Sequence, residues 1–127
     1  MSSSPPPTPT ELAILGVLWE SGPSTVRTVH DHLSKRETLG YTSVLKMLQV
    51  MHKKGLVKRD ESQRSHIYRA ARPAAQVQRR LVSDLINRAF AGSAAELAVR
   101  ALSARPVPKE ELARVRAFLD QIDDGDG

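Results

Sequence analysis

The sequence predicts a mainly helical fold with one small β-hairpin, and three observations predict it. Residues 40–55 read as a single helix with both ends marked. Two helical segments precede it, and directly after it the apolar period shortens from that of a helix to that of strands. Beyond Arg72-Pro73 the helical period returns in three further segments. A chain of 127 residues has room for one domain, or for a small domain with an appendage.

Taken in order, the Ser/Pro-rich residues 1–7 are expected to be a disordered arm. Thr8-Pro9-Thr10-Glu11 opens the first helix as a capping box, with Thr8 at N-cap, Pro9 at N1 and Glu11 at N3. Leu12, Leu15, Leu18 and Trp19 form its stripe, and Gly22-Pro23 stops it. Trp19 is the only tryptophan and is read as core packing rather than ligand stacking. Pro23-Ser24-Thr25 has the make-up of a one- or two-residue strand. Ser24 is placed as the cap of a second helix that turns Val26, Val29 and Leu33 to one face.

The polar linker 34–40 leads to the third helix, with Thr42 as its expected N-cap and Gly55 as the left-handed residue that ends it. Lys53 and Lys54 fall in the last turn, where the helix dipole favours cations. Val44, Met47, Leu48 and Met51 recur at i, i+3, i+4 and i+7. The opposite face carries Ser43, Lys46, Gln49, Val50 and Lys53, with no carboxylate. Residues 56–60 and 66–70 read as two short strands around the polar turn 61–65. Three helices followed by a basic hairpin are the plan of a winged helix, with the hairpin tip as the wing.

Residues 8–72 are therefore expected to form the winged-helix domain, and residues 73–123 a helical region ending in a disordered tail, 124–127. A helix from Ala74 to Phe90 carries Val77, Leu81, Leu85 and Phe90 near coiled-coil spacing. Ser93 and Glu96 form a second capping box and begin a short helix with Leu97. The last helix, from Pro108-Lys109, carries Leu112, Val115, Leu119 and Ile122 on one stripe. Three short helices bury little surface by themselves. They either pair with a second copy, making this a dimerisation region, or fold back on the first domain; pairing is the expectation.

Charge placement points to the partner. The net charge is +5, and residues 1–72 carry all of it, with eleven Lys/Arg against six Asp/Glu. Residues 73–127 carry eight of each. A basic excess centred on a capped helix is the footprint of nucleic-acid binding. In a helix-turn-helix arrangement the first turns of the recognition helix meet base edges. Thr42, Ser43, Lys46 and Gln49 are accordingly read as base-contacting. Val50 either meets a thymine methyl or is merely exposed. Lys53, Lys54, Lys58, Arg59 and Arg64 are assigned to phosphates, and Tyr41 either joins them or packs over the turn. A winged helix that binds protein instead of DNA is the alternative reading. The carboxylate-free face argues against it.

Other chemistry finds no footing. Without cysteine there is no disulfide, thiol catalysis or Cys-based zinc site. His30, His32, His52 and His66 do not form a local metal shell, so no metal and no cofactor are expected. No phosphate loop or nucleophile elbow occurs, and the chain is not expected to be an enzyme. No small-molecule ligand is inferable. With no apolar run for a secretory signal or a membrane span, a cytoplasmic protein without a membrane partner is expected.

The chain resembles the penicillinase-repressor (BlaI/MecI) family of winged-helix repressors from Thr10 to about Ile122. The resemblance is carried by Thr10-Glu11-Leu12, Leu18-Trp19 and Gly22-Pro23-Ser24-Thr25-Val26-Arg27. It continues in Tyr41-Thr42-Ser43-Val44-Leu45, Lys54-Gly55-Leu56-Val57, Tyr68-Arg69-Ala70 and Glu110-Glu111-Leu112. The resemblance implies a transcriptional repressor that binds a palindromic operator in double-stranded DNA as a homodimer, with interlocked C-terminal helices. In the antibiotic-responsive branch, cleavage between an Asn and a Phe of the short C-terminal helix ends repression. Arg100-Ala101 stands at the corresponding place here. The Cys-x-Cys pair of the copper-responsive branch is absent, and Val50 stands where the family often has arginine.

Overall fold

The computed structural model describes residues 6–35 and 38–125. Among them the elements are α1 (Pro9–Ser21), β1 (Ser24–Thr25), α2 (Val26–Leu33), α3 (Tyr41–Lys54), β2 (Val57–Asp60), β3 (Ile67–Ala70), α4 (Ala74–Ala89), α5 (Ala94–Ser103) and α6 (Lys109–Gly125). The strands form one antiparallel sheet in the order β1-β3-β2. Ser24 pairs with Tyr68, and Arg59 pairs with Tyr68 from the other side. The expected arm 1–7 lies outside the described residues except for Pro6 and Pro7, which adopt no regular structure.

One core holds α1, α2, α3 and the sheet together. Ile14, Leu15 and Leu18 from α1 meet Val26, Val29 and Leu33 from α2. Val44, Leu48 and Met51 from α3 complete it with Val57 and Tyr68. The spacing of the apolar residues in α2 and α3 foretells which face is buried. In α1 it does not, because apolar residues surround most of that helix. Ile14 is fully buried there, whereas Leu12 and Trp19 of the expected stripe lie at the margin.

Two caps differ from expectation. Thr25, not Ser24, caps α2, its hydroxyl accepting from the Thr28 amide at 3.2 Å. Ser24 is committed to β1 and donates its hydroxyl to the Gly22 carbonyl at 2.8 Å. Gly40, not Thr42, is the N-cap of α3, and no side chain caps that end. The magnitudes explain the tolerance. A missing side-chain cap costs about 1 kcal/mol. Each buried anchor of α3 contributes about 1.5–3 kcal/mol, so packing sets where the helix lies. At the other end Gly55 takes φ 82° and ψ 13°, the left-handed conformation that lets the chain turn directly into β2.

The chain divides into two compact units between Val82 and Ser83, inside α4, rather than at Arg72-Pro73. The Trp19 indole N–H donates to the Arg72 carbonyl at 3.0 Å and binds the chain there to α1. Val77 and Leu81 share a groove with Pro7 and Leu56, which ties the start of α4 to the first unit.

In the second unit α4 closes through Ala91 and Gly92, with φ 51° and 83°, the Gly92 amide reaching the Ile86 carbonyl at 3.0 Å. Ser93 caps α5 by accepting from the Glu96 amide. The reciprocal half of the expected capping box is missing, because the Glu96 carboxylate turns to Arg100 at 3.6 Å. Helix α6 runs to Gly125, so the first two residues of the expected tail are helical, and residues 126–127 lie outside the described residues. No residue of α4, α5 or α6 is buried. Leu97, Leu112, Val115 and Phe90 are half-covered, whereas Leu85, Val99, Leu102, Phe118, Leu119 and Ile122 are exposed.

Candidate nucleic-acid interface

Helix α3 has two unlike faces. Val44, Leu48 and Met51 hold one against the core, and the geometry of 3.6 residues per turn puts Thr42, Ser43, Lys46, Gln49, Val50 and Lys53 outside. All six are exposed, and none is acidic. Lys46, Gln49, Val50, His52 and Lys53 line a shallow groove with Arg59 of β2. A neighbouring groove runs between the start of α2, the start of α3 and the wing, lined by Arg27, Tyr41, Gln49, Arg64 and His66 among others. Gln49 and Arg59 border both grooves.

The wing is held by its own side chains. Asp60 accepts from the Ser62 amide at 2.9 Å, and that backbone bond holds its carboxyl below the usual value. Arg59 pairs with Glu61 at 2.7 Å, and the Tyr68 hydroxyl and then Glu61 strengthen its hold on its proton. The pairing offsets the Glu61 charge beside the groove. Arg64, at the tip, is exposed on the groove side.

Among the residues expected from the sequence to touch DNA, the grooves gather Tyr41, Lys46, Gln49, Val50, Lys53, Arg59 and Arg64. Lys58 is exposed on β2 but lines neither groove, and Lys54 is drawn elsewhere. Its ammonium meets the Glu11 carboxylate at 2.8 Å, across 43 residues of sequence. The groove residues not assigned to DNA from the sequence include Arg27, Ser65 and His66 in one groove and His52 in the other. The signals for Arg27 are its place at the start of a helix and its inclusion in the stretch 22–27 that carries the family resemblance.

Tyr41 sits between two neighbours that fix its ring. The Arg27 guanidinium lies over the ring, 5.6 Å from the centroid. The His30 imidazole meets it edge-on at 6.1 Å and 70°. His30 also donates through Nε2 to the Leu39 carbonyl at 2.9 Å, fixing the end of the linker into α3.

Glu11 sets the other end of α3. Its carboxylate accepts from the Thr8 amide at 2.9 Å as well as from Lys54. Burial pushes its carboxyl up, but the Lys54 and Thr8 bonds outweigh burial and hold it below the ordinary glutamate value. A lowered folded value means that its stabilisation is complete above the ordinary glutamate range. It is lost as pH falls through the folded value. Glu11→Ala is therefore expected to cost about 1–2 kcal/mol at neutral pH, discounting for the half-exposed lysine. Thermal melts of the two proteins should differ at pH 7, and the gap should narrow as pH falls below the ordinary glutamate range. A difference that stays constant as pH falls would show that the carboxylate charge contributes nothing.

Comparison with known proteins adds kinship to this geometry. The family model described as penicillinase repressor matches residues 7–121. The transcriptional regulator BlaI of Mycobacterium tuberculosis is 31% identical over 118 residues, covering 92% of this chain and 85% of that protein. Among solved structures, the monomeric form of Bacillus licheniformis BlaI in complex with the blaP half-operator superposes with a TM-score of 0.50 at 24% identity. That match covers 59% of this chain and 92% of the other. A MarR family protein from Bacillus stearothermophilus also gives 0.50, at 20% identity, over 95% of this chain and 76% of its own. The two structural likenesses are likenesses of fold.

Proposed function

The chain belongs to the penicillinase-repressor family, and from that premise we propose that it is a sequence-specific transcriptional repressor acting as a homodimer on a palindromic operator. The observation that carries the reading is the exposed, acid-free side of α3 lying open beside a basic wing. Such a helix fits the major groove, which is wide enough to admit one. The structure of Bacillus licheniformis BlaI is of that protein with half an operator. By analogy each copy of the present chain takes one half-site.

In this reading Thr42, Ser43, Lys46 and Gln49 approach base edges, and Val50 offers an apolar contact to a thymine methyl. Lys53 and Arg64 contact phosphates and fix the register of the helix. Lys54 instead serves the Glu11 pair, and Arg59 divides its charge between DNA and Glu61. The second copy docks on α4–α6, through the expected stripes of Val77, Leu81, Leu85, Phe90, Leu97, Leu112, Val115, Leu119 and Ile122. Six large apolar side chains exposed in a unit with no buried residue support that assignment. A cytoplasmic location fits this reading, and nothing in it calls for catalysis or a cofactor. Arg100-Ala101 lies in α5, where the resemblance places the Asn-Phe pair.

Base reading and phosphate holding separate by mutation. Lys46→Ala is expected to relax discrimination at one or two base positions, each by about 1–3 kcal/mol. Arg64→Ala should weaken every sequence alike. Affinities measured on a panel of single-base operator variants check both. A uniform loss for both mutants contradicts the division of roles.

A further inference from the structure

The α2 start contributes to the same groove as the recognition helix and the wing, yet its basic residue belongs to neither the base-reading nor the phosphate-holding set. Arg27 is exposed, stands at the second position of α2, and lines the groove whose opposite wall carries Arg64 and His66. Its guanidinium is not free to sweep. It lies over the Tyr41 ring at 5.6 Å, an aromatic that is itself braced edge-on by His30. A cation held over an aromatic face keeps its N–H groups, which lie in the guanidinium plane, available for an anion at the rim. The arrangement orders a long side chain before any ligand arrives, which reduces the entropy lost on binding.

The chemistry of the groove suits an anion. Its walls offer arginine and imidazole N–H groups, and the serine hydroxyl of Ser65 lies near the tip. The groove is open and shallow toward the exposed side of α3, where Gln49 borders it. A sugar-phosphate backbone passing α3 in the major groove would thus run between the α2 start and the wing.

We propose that Arg27, pre-set by stacking on Tyr41, grips a DNA phosphate opposite Arg64, and that Tyr41 acts in DNA binding chiefly as the platform for Arg27 rather than through its hydroxyl. This rests on the DNA-binding reading above. It deepens that reading by naming a contact from α2 and by giving Tyr41 a positioning role. Arginine, not lysine, suits the place, because the guanidinium can stack and donate at once, whereas an ammonium is a hydrated point charge.

The test compares the full-length wild type with Arg27→Ala, Arg27→Lys, Tyr41→Phe, Tyr41→Ala and the Arg27→Ala/Tyr41→Ala pair. Binding to one operator duplex is titrated between 50 and 200 mM salt. Removing the partner of a single phosphate lowers the slope of log affinity against log salt by about 0.9. Arg27→Ala should lower it by that amount per protomer and weaken binding several-fold, and Arg27→Lys should recover the slope with only part of the affinity. Tyr41→Phe, which keeps the ring, should bind as wild type. Tyr41→Ala should weaken binding, and adding it to Arg27→Ala should cost nothing more. A wild-type slope in Arg27→Ala overturns the phosphate contact. Equal losses in Tyr41→Phe and Tyr41→Ala, or additive losses in the pair, overturn the platform. Thermal melts check folding, and a change in stability alone would not move the salt slope. If the wild type itself shows no salt-dependent DNA binding, the parent reading fails instead, so the two failures are distinguishable.

Discussion

In the proposed dimer, Leu119→Asp is expected to separate the two copies and to lower affinity for a two-half-site operator by about a hundredfold or more. Leu119 is 53% exposed in α6, between Phe118 at 59% and Ile122 at 47%. An aspartate there meets water in the monomer and should leave the single-chain fold intact. In a dimer it would bury an unpaired charge among apolar side chains, which costs several kcal/mol. The loss on operator DNA follows from multivalency. A linked second half-site is bound at an effective concentration set by the linkage, so breaking the linkage forfeits a factor of about 10²–10⁴. Sedimentation at micromolar concentration reads the mass, and titration of half-site and full-site duplexes reads the coupling. Half-site affinity should stay near wild type. A wild-type protein that sediments as a monomer, or a Leu119→Asp variant that remains a dimer, contradicts the assignment of this surface.

The second large effect is electrostatic. Among the exposed cations of the first unit, Arg27, Lys46, Lys53, Lys58 and Arg64 face solvent on α2, α3 and the wing strand and tip. If two copies neutralise roughly six or more phosphates, each adds about 0.9 to the slope of log affinity against log salt. Affinity for the operator should then fall about a thousandfold or more between 50 and 200 mM salt. The C-terminal region 73–127, with eight cations and eight anions, should not bind DNA in this range by itself. A flat titration would remove the nucleic-acid reading altogether, whatever the family.

Much of this was legible in the order of the elements. The marked ends of residues 40–55, the change of period after Gly55 and the two-residue strand at Ser24–Thr25 lead to the helix-helix-helix-wing plan found in the structure. What escaped the sequence depends on partners distant along the chain. The helix is capped at Gly40 because three buried anchors outweigh a side-chain cap, so a favourable threonine at position 42 marked the end two residues too late. Lys54 carries the same formal charge as Lys53, and only the fold reveals that Glu11 has claimed it. Arg27 stands out only once α2 and the linker bring it over Tyr41. The Trp19 indole bond to the Arg72 carbonyl is a tie that composition at Arg72-Pro73 cannot reveal. Ile14 was hidden among the other apolar residues of α1, where periodicity has little contrast.

The acid-free face of α3 has its meaning only if it reads sequence, and if two copies read together. Selection of bound duplexes from a random DNA pool tests both at once. The account predicts enrichment of an inverted repeat whose half-sites lie about one helical turn, or a multiple of it, apart. Substituting Lys46 should change the enriched bases within each half, leaving the spacing unaltered. Enrichment of a single unpaired half-site would contradict the dimer, and recovery of no common sequence would contradict base reading by α3.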